Sequence, residues 1–169
     1  MTITYLHKAG WLVALVLLQA LILNNLHIGG YATPFLYIYL LLKFEADVPT
    51  NRLILWAFVL GLMVDIFSDT PGLNAASTVL LAFVRPTLLR LFVPRDLQET
   101  LVPAIHTMGI NVFLKYATTA VLLHHAVLLS LESFSFAHLP ELLLRIISST
   151  LFTMLCVLAL EMLFQKGKR

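Results

Sequence analysis

Long apolar runs alternate with short polar breaks along the chain, and this pattern predicts a series of membrane-spanning helices. A helix needs about 20 predominantly apolar residues to cross the hydrocarbon core of a bilayer. Six runs are candidates, separated by breaks that contain charged residues, proline or glycine. The predicted spans are residues 9–25, 31–44, 52–67, 73–93, 103–131 and 140–164.

The run over residues 31–44 is the shortest of the six. At about 1.5 Å per residue, a helix of this length covers only roughly 20 Å. Such a segment can fill space between tilted neighbours, cross a thinned bilayer, or enter and leave on the same side. The sequence leaves these alternatives open.

Composition supports a bilayer as the natural solvent. The chain has 169 residues, of which 60% are hydrophobic and 12% charged, and its mean hydropathy is +0.92. A soluble domain of this length could not hide so much apolar surface. No charge-rich or Ser/Gly-rich linker divides the sequence. We therefore predict an all-α integral membrane protein with one polytopic domain over residues 1–169.

The basic residues predict which side of the membrane each break faces. If all six runs cross, the lysines and arginines of the breaks and the tail fall on one side, which should be the cytoplasm, with both termini inside. A five-span arrangement with an outer N-terminus misplaces only Lys8. The net charge of +2 and the lack of a solvated basic patch argue against nucleic-acid binding. The residues on the cytoplasmic side are Lys8, Lys43, Arg52, Arg90, Arg95, Lys166, Lys168 and Arg169.

Three ionisable residues fall inside predicted spans at a similar depth. From the helix rise, Asp65 lies roughly 20 Å and Lys115 roughly 18 Å from the cytoplasmic face, and Arg145 lies roughly 8 Å below the outer face. Charges at membrane depth usually face the bundle and pair with one another. Asp65 is therefore expected to pair with Lys115 or Arg145. The alternatives are a cluster whose spare positive charge binds an acidic side chain or lipid phosphate, or a proton or ion pathway.

Arg85, Arg90 and Arg95 form a predicted basic rim at the cytoplasmic interface. Arg85 precedes Pro86, and a proline inside a helix removes a backbone hydrogen bond and often bends the helix. We expect Arg85 and Arg90 to extend to lipid headgroups. Docking of a cytoplasmic partner on this rim is the functional alternative.

The sequence offers no chemistry for catalysis, cofactor binding or metal binding. Neither a phosphate-binding glycine loop nor a nucleophile or metalloprotease motif occurs. His124 and His125 are adjacent, so they are expected to point in different directions rather than form a metal pair. The lone Cys156 is expected to be a buried hydrophobe. We predict a protein that is not an enzyme.

Small residues four positions apart are expected to let helices approach closely. They occur at Ala57 and Gly61 and again at Ser149 and Thr153. This pattern is common in membrane bundles and does not identify a partner.

The turn between the third and fourth runs carries a family resemblance. Gly61 and Asp65 form a G-x-x-x-D helix end, and Pro71-Gly72 lead into Leu73-Asn74-Ala75 at the start of the next helix. This stretch resembles the bacterial rod shape-determining protein MreD family. That family is similar also in length, in having about six spans with a short second one, and in its basic C-terminal tail.

The resemblance implies a non-enzymatic scaffold in the bacterial inner membrane that needs no cofactor. Members of the MreD family are partners of MreC, a single-span protein with a large periplasmic part. Together they connect MreB filaments in the cytoplasm with peptidoglycan synthases, and so maintain rod shape. The implied fold is similar to the six-helix substrate-binding subunit of energy-coupling-factor transporters.

A vitamin-binding subunit of such a transporter is the competing function. Those subunits usually carry alanines four apart on the first span, but here Ala14 is followed by Leu18 and Ala20 by Asn24. The predicted outer loops are also short and contain few polar groups. A third possibility is binding of an isoprenoid-linked precursor near Lys115 and Arg145.

Overall fold

The computed structural model describes residues 2–25, 32–94, 101–133 and 138–166, and these residues form helices joined by short connections. A single 3-10 turn, Leu23–Asn25, follows the first helix, and another, Leu36–Ile38, precedes the second. The α-helices are α1 (Thr2–Leu21), α2 (Tyr39–Leu42), α3 (Thr50–Ser68), α4 (Leu73–Phe92), α5 (Ile105–Met108), α6 (Ile110–Ser133) and α7 (Leu139–Lys166).

Four of these helices are long and apolar enough to cross a membrane, which makes the chain a multi-pass membrane protein by length and composition. They are α3, α4, α6 and the Leu139–Leu163 part of α7, whereas α1 contributes a shorter apolar stretch, Leu6–Leu21. Helices predicted at 52–67, 73–93 and 140–164 are therefore confirmed. The run predicted at 103–131 is divided into α5 and α6 at Gly109, whose φ is 77°.

The prediction of a continuous helix over residues 31–44 is wrong. The described part of this run forms a three-residue 3-10 turn and the four-residue α2, and the side chains of both are buried. Side chains from other helices bind its free backbone groups: Gln19 Oε1 accepts from Leu36 N at 2.8 Å, and Thr153 Oγ1 accepts from Phe35 N at 3.0 Å. Irregular backbone is tolerated at membrane depth when protein surrounds and satisfies it in this way.

The helices have two distinct ends. Lys8 Nζ donates to Glu45 Oε2 at 2.5 Å, which places the start of α1 beside the α2–α3 connection. Asn24 Nδ2 donates to Ser68 Oγ at 2.6 Å, which places the segment after α1 beside the end of α3. We call the first the basic end and the second the turn end. Lys8 and Glu45 therefore lie at the same end of the helices.

Helices α3 and α4 pack at very short range. A Cβ atom added at Gly61 would lie 2.4 Å from Thr78 Oγ1 and 2.5 Å from Ala75 Cα. Thr78 Oγ1 also donates to the Ala57 carbonyl across the same interface at 2.9 Å. The expectation that Ala57 and Gly61 allow close approach is confirmed. Ser149 and Thr153 instead accept hydrogen bonds from the backbone of Thr33 and Phe35. We call residues 32–42 the irregular segment.

Candidate functional site: a buried polar network at the turn end

Asp65 binds the N-terminus of the helix that follows its own. Its side chain is buried, and Oδ1 accepts hydrogen bonds from Asn74 N at 3.0 Å, Asn74 Nδ2 at 3.0 Å and Thr70 Oγ1 at 2.9 Å. Oδ2 accepts from Ala75 N at 2.9 Å. Backbone N–H groups in the first turn of a helix lack partners within it, and the helix dipole favours a negative charge there. The carboxylate thus satisfies two of these groups on α4.

The backbone between α3 and α4 brings Asp65 and these donors together. The connection is the four residues Asp69 to Gly72, and two of them adopt left-handed conformations, with φ of 53° at Asp69 and 81° at Gly72. Glycine takes this conformation without a steric cost, and Asp is among the few other residues that tolerate it. Pro71 lies between them on the exposed surface. The predicted turn residues Gly61, Asp65, Pro71 and Gly72 therefore share one hairpin.

The expected ion pair of Asp65 with Lys115 or Arg145 is absent from the described part of the chain. Arg145 Nη2 instead donates to Glu132 Oε1 at 3.1 Å, and the Lys115 side chain is exposed. Helix rise gave similar depths for the three charges, but the rotation of each helix decides which way a side chain faces. The start of α4 therefore provides the hydrogen-bond partners of the buried carboxylate, in place of the cation that we expected.

The network continues from Asn74 to a histidine. Tyr37 OH donates to Asn74 Oδ1 at 2.7 Å and lies 3.0 Å from His124 Nε2. Because the single hydroxyl proton points to Asn74, His124 must donate from Nε2 and carry its lone pair on Nδ1. Nδ1 is fully buried and has no hydrogen-bond partner among the described residues. An ordered chain of donors thus runs from His124 through Tyr37 and Asn74 to Asp65.

His125 lies next to this chain, with its ring centroid 5.5 Å from that of His124. Both histidines are fully buried, and they reach different partners, since His124 contacts Tyr37 whereas His125 contacts Thr153. His125 Nδ1 donates to Val121 O at 2.7 Å, and Nε2 accepts from Thr153 Oγ1 at 3.1 Å. Over the ranges the structure describes, no group of His, Cys, Asp and Glu side chains is placed to hold a metal ion.

A cavity of about 190 Å³ opens beside this network at the turn end. Its walls come from the segment after α1, the irregular segment, and helices α3, α4, α6 and α7. Glu132 and Arg145 contribute the charged groups of the lining. The lining residues are Asn24, Thr33, Phe35, Val64, Ser68, Thr70, Leu73, Asn74, Leu128, Glu132 and Arg145.

Arg85 does not belong to an interfacial rim, so that prediction is wrong for this residue. It is only 1% exposed, and α4 continues through Pro86 without a break. Nε donates to Tyr116 OH at 2.9 Å, and Nη2 donates to the carbonyls of Leu42 and Phe44. The guanidinium thus binds the C-terminal end of α2. Arg90 is exposed on the same helix, and Arg95 lies outside the described residues.

Glu161 is a second buried ionisable residue near the basic end, and the sequence analysis missed it. Its Oε1 accepts from Tyr39 OH and from Lys43 Nζ, each at 2.7 Å, and its Oε2 accepts from Ile105 N at 3.3 Å. Glu161 therefore joins α7 to α2 and to α5. An acidic residue inside an apolar run is the sequence signal that could have identified it.

Glu45 connects α1 to the α2–α3 connection outside the long helices. Partial burial opposes its ionisation, but the hydrogen bond and charge of Lys8, with the more distant charge of Arg85, outweigh this effect. The pKa of the Glu45 carboxyl therefore lies below its ordinary value.

Comparisons with protein-family models, with curated proteins and with solved structures found no match to this chain.

Proposed function

We propose that this protein is a non-enzymatic inner-membrane scaffold of the bacterial cell-wall elongation machinery, of the MreD type. The observation that carries the proposal is the hairpin between α3 and α4. Gly61, Asp65 and Gly72, three of the residues on which the resemblance rests, each meet a distinct physical demand there: close helix approach, capping of α4 and a left-handed turn. A motif with a defined structural role supports the resemblance better than a similar apolar composition would.

The short connections and the apolar surfaces of the long helices also support a protein that acts through helix contacts. Within the described ranges the connections are short, and the exposed surface of the long helices is rich in large apolar side chains, such as Leu62 on α3 and Leu155 on α7. In a bilayer such faces meet lipid or the helices of other proteins. We propose MreC, through its single span, as the direct partner, with MreB and the peptidoglycan synthases contacted indirectly.

The orientation of the scaffold follows from its basic end. Lys8, Lys43, Arg52 and Arg90 belong to this end, and lysine and arginine accumulate in cytoplasmic loops. We propose six passes with both termini in the cytoplasm and the α3–α4 turn on the outer side. The irregular segment would then complete the second pass.

Co-purification of the tagged protein from its native membrane tests this function. Recovery of MreC in stoichiometric amounts is the expected result. Tryptophan substitutions of Leu62 and of Leu155, on separate exposed faces, locate the contact: the variant on the partner face should lose MreC while keeping its own elution volume. Recovery of an ATPase pair and its coupling subunit, without MreC, would overturn the proposal.

The cavity at the turn end is the observation that favours the alternative, a vitamin-binding transporter subunit. Its volume of about 190 Å³ is below the range of roughly 300–1,000 Å³ typical of sites for drug-sized ligands. The scaffold is therefore the better supported function, and the same co-purification separates the two.

A further inference from the structure

The cavity at the turn end has polar groups and a charged pair among its lining residues. Asn24, Ser68 and Thr70 supply amide and hydroxyl groups. Arg145 and Glu132 contribute a salt bridge of 3.1 Å, and their side chains remain 31% and 43% exposed. A guanidinium has five N–H donors and a carboxylate has two oxygens, so this single contact leaves each group able to bind an occupant.

The charge balance at the turn end selects against a purely anionic occupant. In the part of this end that the structure describes, Arg145 is accompanied by four acidic residues. An anion would gain from the guanidinium but would be repelled by the carboxylates, whereas a group carrying both charges satisfies each side. The four acidic residues are Asp65, Asp69, Glu132 and Glu141.

The pair lies near the turn end of α6 and α7, within reach of a lipid headgroup that enters the cavity from that end. Glu132 lies one residue before the end of α6, and Arg145 lies six residues after the start of α7, which is about 9 Å along the helix axis. Large apolar side chains are exposed on the same two helices next to the pair, as acyl chains would require. They include Leu131, Leu139, Leu143, Leu144 and Ile147.

We propose that the cavity binds a zwitterionic phosphoethanolamine group, with its phosphate on Arg145 and its ammonium on Glu132, Ser68 and Asn24. The source is an aminophospholipid in the leaflet at the turn end. A primary ammonium donates three hydrogen bonds, which the oxygens of Glu132, Ser68 and Asn24 can accept, whereas a trimethylated amine donates none. The cavity thus distinguishes phosphatidylethanolamine from both phosphatidylcholine and phosphatidylglycerol.

Thiol labelling in nanodiscs tests this site. We place Ser68→Cys in a Cys156→Ser background and measure its reaction rate with a soluble maleimide in discs of phosphatidylcholine alone or mixed with phosphatidylethanolamine or phosphatidylglycerol. The ethanolamine lipid alone should slow labelling by about fivefold, as expected for a site roughly four-fifths occupied. Pro71→Cys, on the exposed turn outside the cavity, is the matched control and should react equally in all discs.

Two charge variants connect protection with the proposed contacts. Arg145→Gln and Glu132→Gln should each remove most of the protection, whereas Arg90→Gln, an exposed arginine at the other end of the bundle, should leave it intact. Soluble glycerophosphoethanolamine, added to phosphatidylcholine discs, separates a lipid from a free small molecule. Protection by the soluble compound but not by the lipid would overturn the proposed source, and equal labelling in all discs would overturn the site.

Native mass spectrometry of the unsubstituted protein keeps the test independent of the cysteine variants. Protein released from discs with equal ethanolamine and glycerol lipids should retain the ethanolamine lipid preferentially. Arg145→Gln should abolish this preference. Equal retention of the two lipids by the unsubstituted protein would contradict the proposal.

Discussion

Asp65 shows how one buried carboxylate fixes the start of another helix. We expect Asp65→Asn to lower the free energy of unfolding by about 1–2 kcal/mol, because an amide removes the charge at the helix N-terminus and one of its two acceptor atoms. Thermal unfolding in detergent measures the change. Asp69→Asn is the matched control: it should be nearly neutral, since Asp69 is exposed and asparagine tolerates its left-handed conformation. Equal loss in both variants would contradict the capping role.

Arg85 is a second buried charged residue whose replacement should destabilise the fold. Arg85→Leu leaves the Phe44 carbonyl without this donor, whereas Tyr116 OH still donates to the Leu42 carbonyl at 3.3 Å. A buried polar group left unsatisfied costs about 1–3 kcal/mol, so we expect a loss of that size in unfolding free energy. Arg90→Leu on the exposed face of the same helix should change it by less than about 0.5 kcal/mol. Similar small effects in both variants would instead fit two arginines extending to headgroups.

These two residues also mark how far the sequence predicts side-chain partners. A carboxylate at the depth of Asp65 demands compensation, and that much followed from the apolar run around it. The identity of the compensating groups did not follow, because helix rise gives depth but not rotation. Tyr37 and Asn74 were missed for the same reason, since each is unremarkable alone and becomes informative only through its 2.7 Å contact with the other.

Among the helices, the α3–α4 pair depends most visibly on a single position. Gly61→Ala would place a methyl group 2.5 Å from Ala75 Cα, so the helices must separate or shift. Forcing extra atoms into a packed interface costs about 1–3 kcal/mol, and we expect a loss of that size in thermal unfolding. Gly10→Ala on α1 has open space around it and should be neutral or stabilising by up to about 1 kcal/mol. A neutral Gly61→Ala would contradict the close packing.

The Lys8–Glu45 contact between α1 and the α2–α3 connection should make stability depend on pH. Because the folded pKa of Glu45 is below its unfolded value, the contact stabilises the protein above the unfolded pKa and is lost as pH falls through the folded pKa. The difference in melting temperature between wild type and Glu45→Gln should therefore shrink between about pH 7 and about pH 3. Partly exposed pairs contribute about 0.2–1 kcal/mol, so the effect is small.

A nearby acidic residue provides the control for this titration. Asp47→Asn removes an exposed carboxylate two positions from Glu45 and should retain the wild-type dependence on pH. If the difference between wild type and Glu45→Gln stays constant on acidification, the contact with Lys8 does not stabilise the fold.

The irregular segment shows why one predicted helix failed while its neighbours were confirmed. An apolar run predicts burial equally well for a continuous helix and for short helical turns surrounded by protein. What distinguishes the two here is that side chains of other helices, Gln19 on α1 and Thr153 on α7, bind backbone N–H groups of the segment. Those partners lie 17 and 118 positions away in the sequence, so no local pattern around residues 31–44 could reveal them.

Across the whole molecule, polar contacts join the segments at each end, in addition to the apolar core that the helices share. At the basic end, Glu161 binds α2 and α5 from α7, and Lys8 binds Glu45. At the turn end, Asn24 binds Ser68, and Asp65 binds the start of α4. Lipid is as apolar as the side chains of a helix surface, so hydrogen bonds and close packing specify helix arrangement in a membrane. Such an arrangement leaves the exposed apolar faces to lipid or to the helices of other proteins.

The proposed orientation is tested by labelling single cysteines in intact cells, in the Cys156→Ser background. Pro71→Cys at the turn end should react with a membrane-impermeant maleimide without permeabilisation. Arg52→Cys at the basic end should react only after it, because basic residues remain in the cytoplasm. An N-terminal tag should behave like Arg52→Cys, since Lys8 lies beside Glu45. A tag exposed outside, together with protected Arg52→Cys, would contradict the arrangement of α1 itself, whereas reversal at all three sites would invert the orientation and leave the fold unchanged.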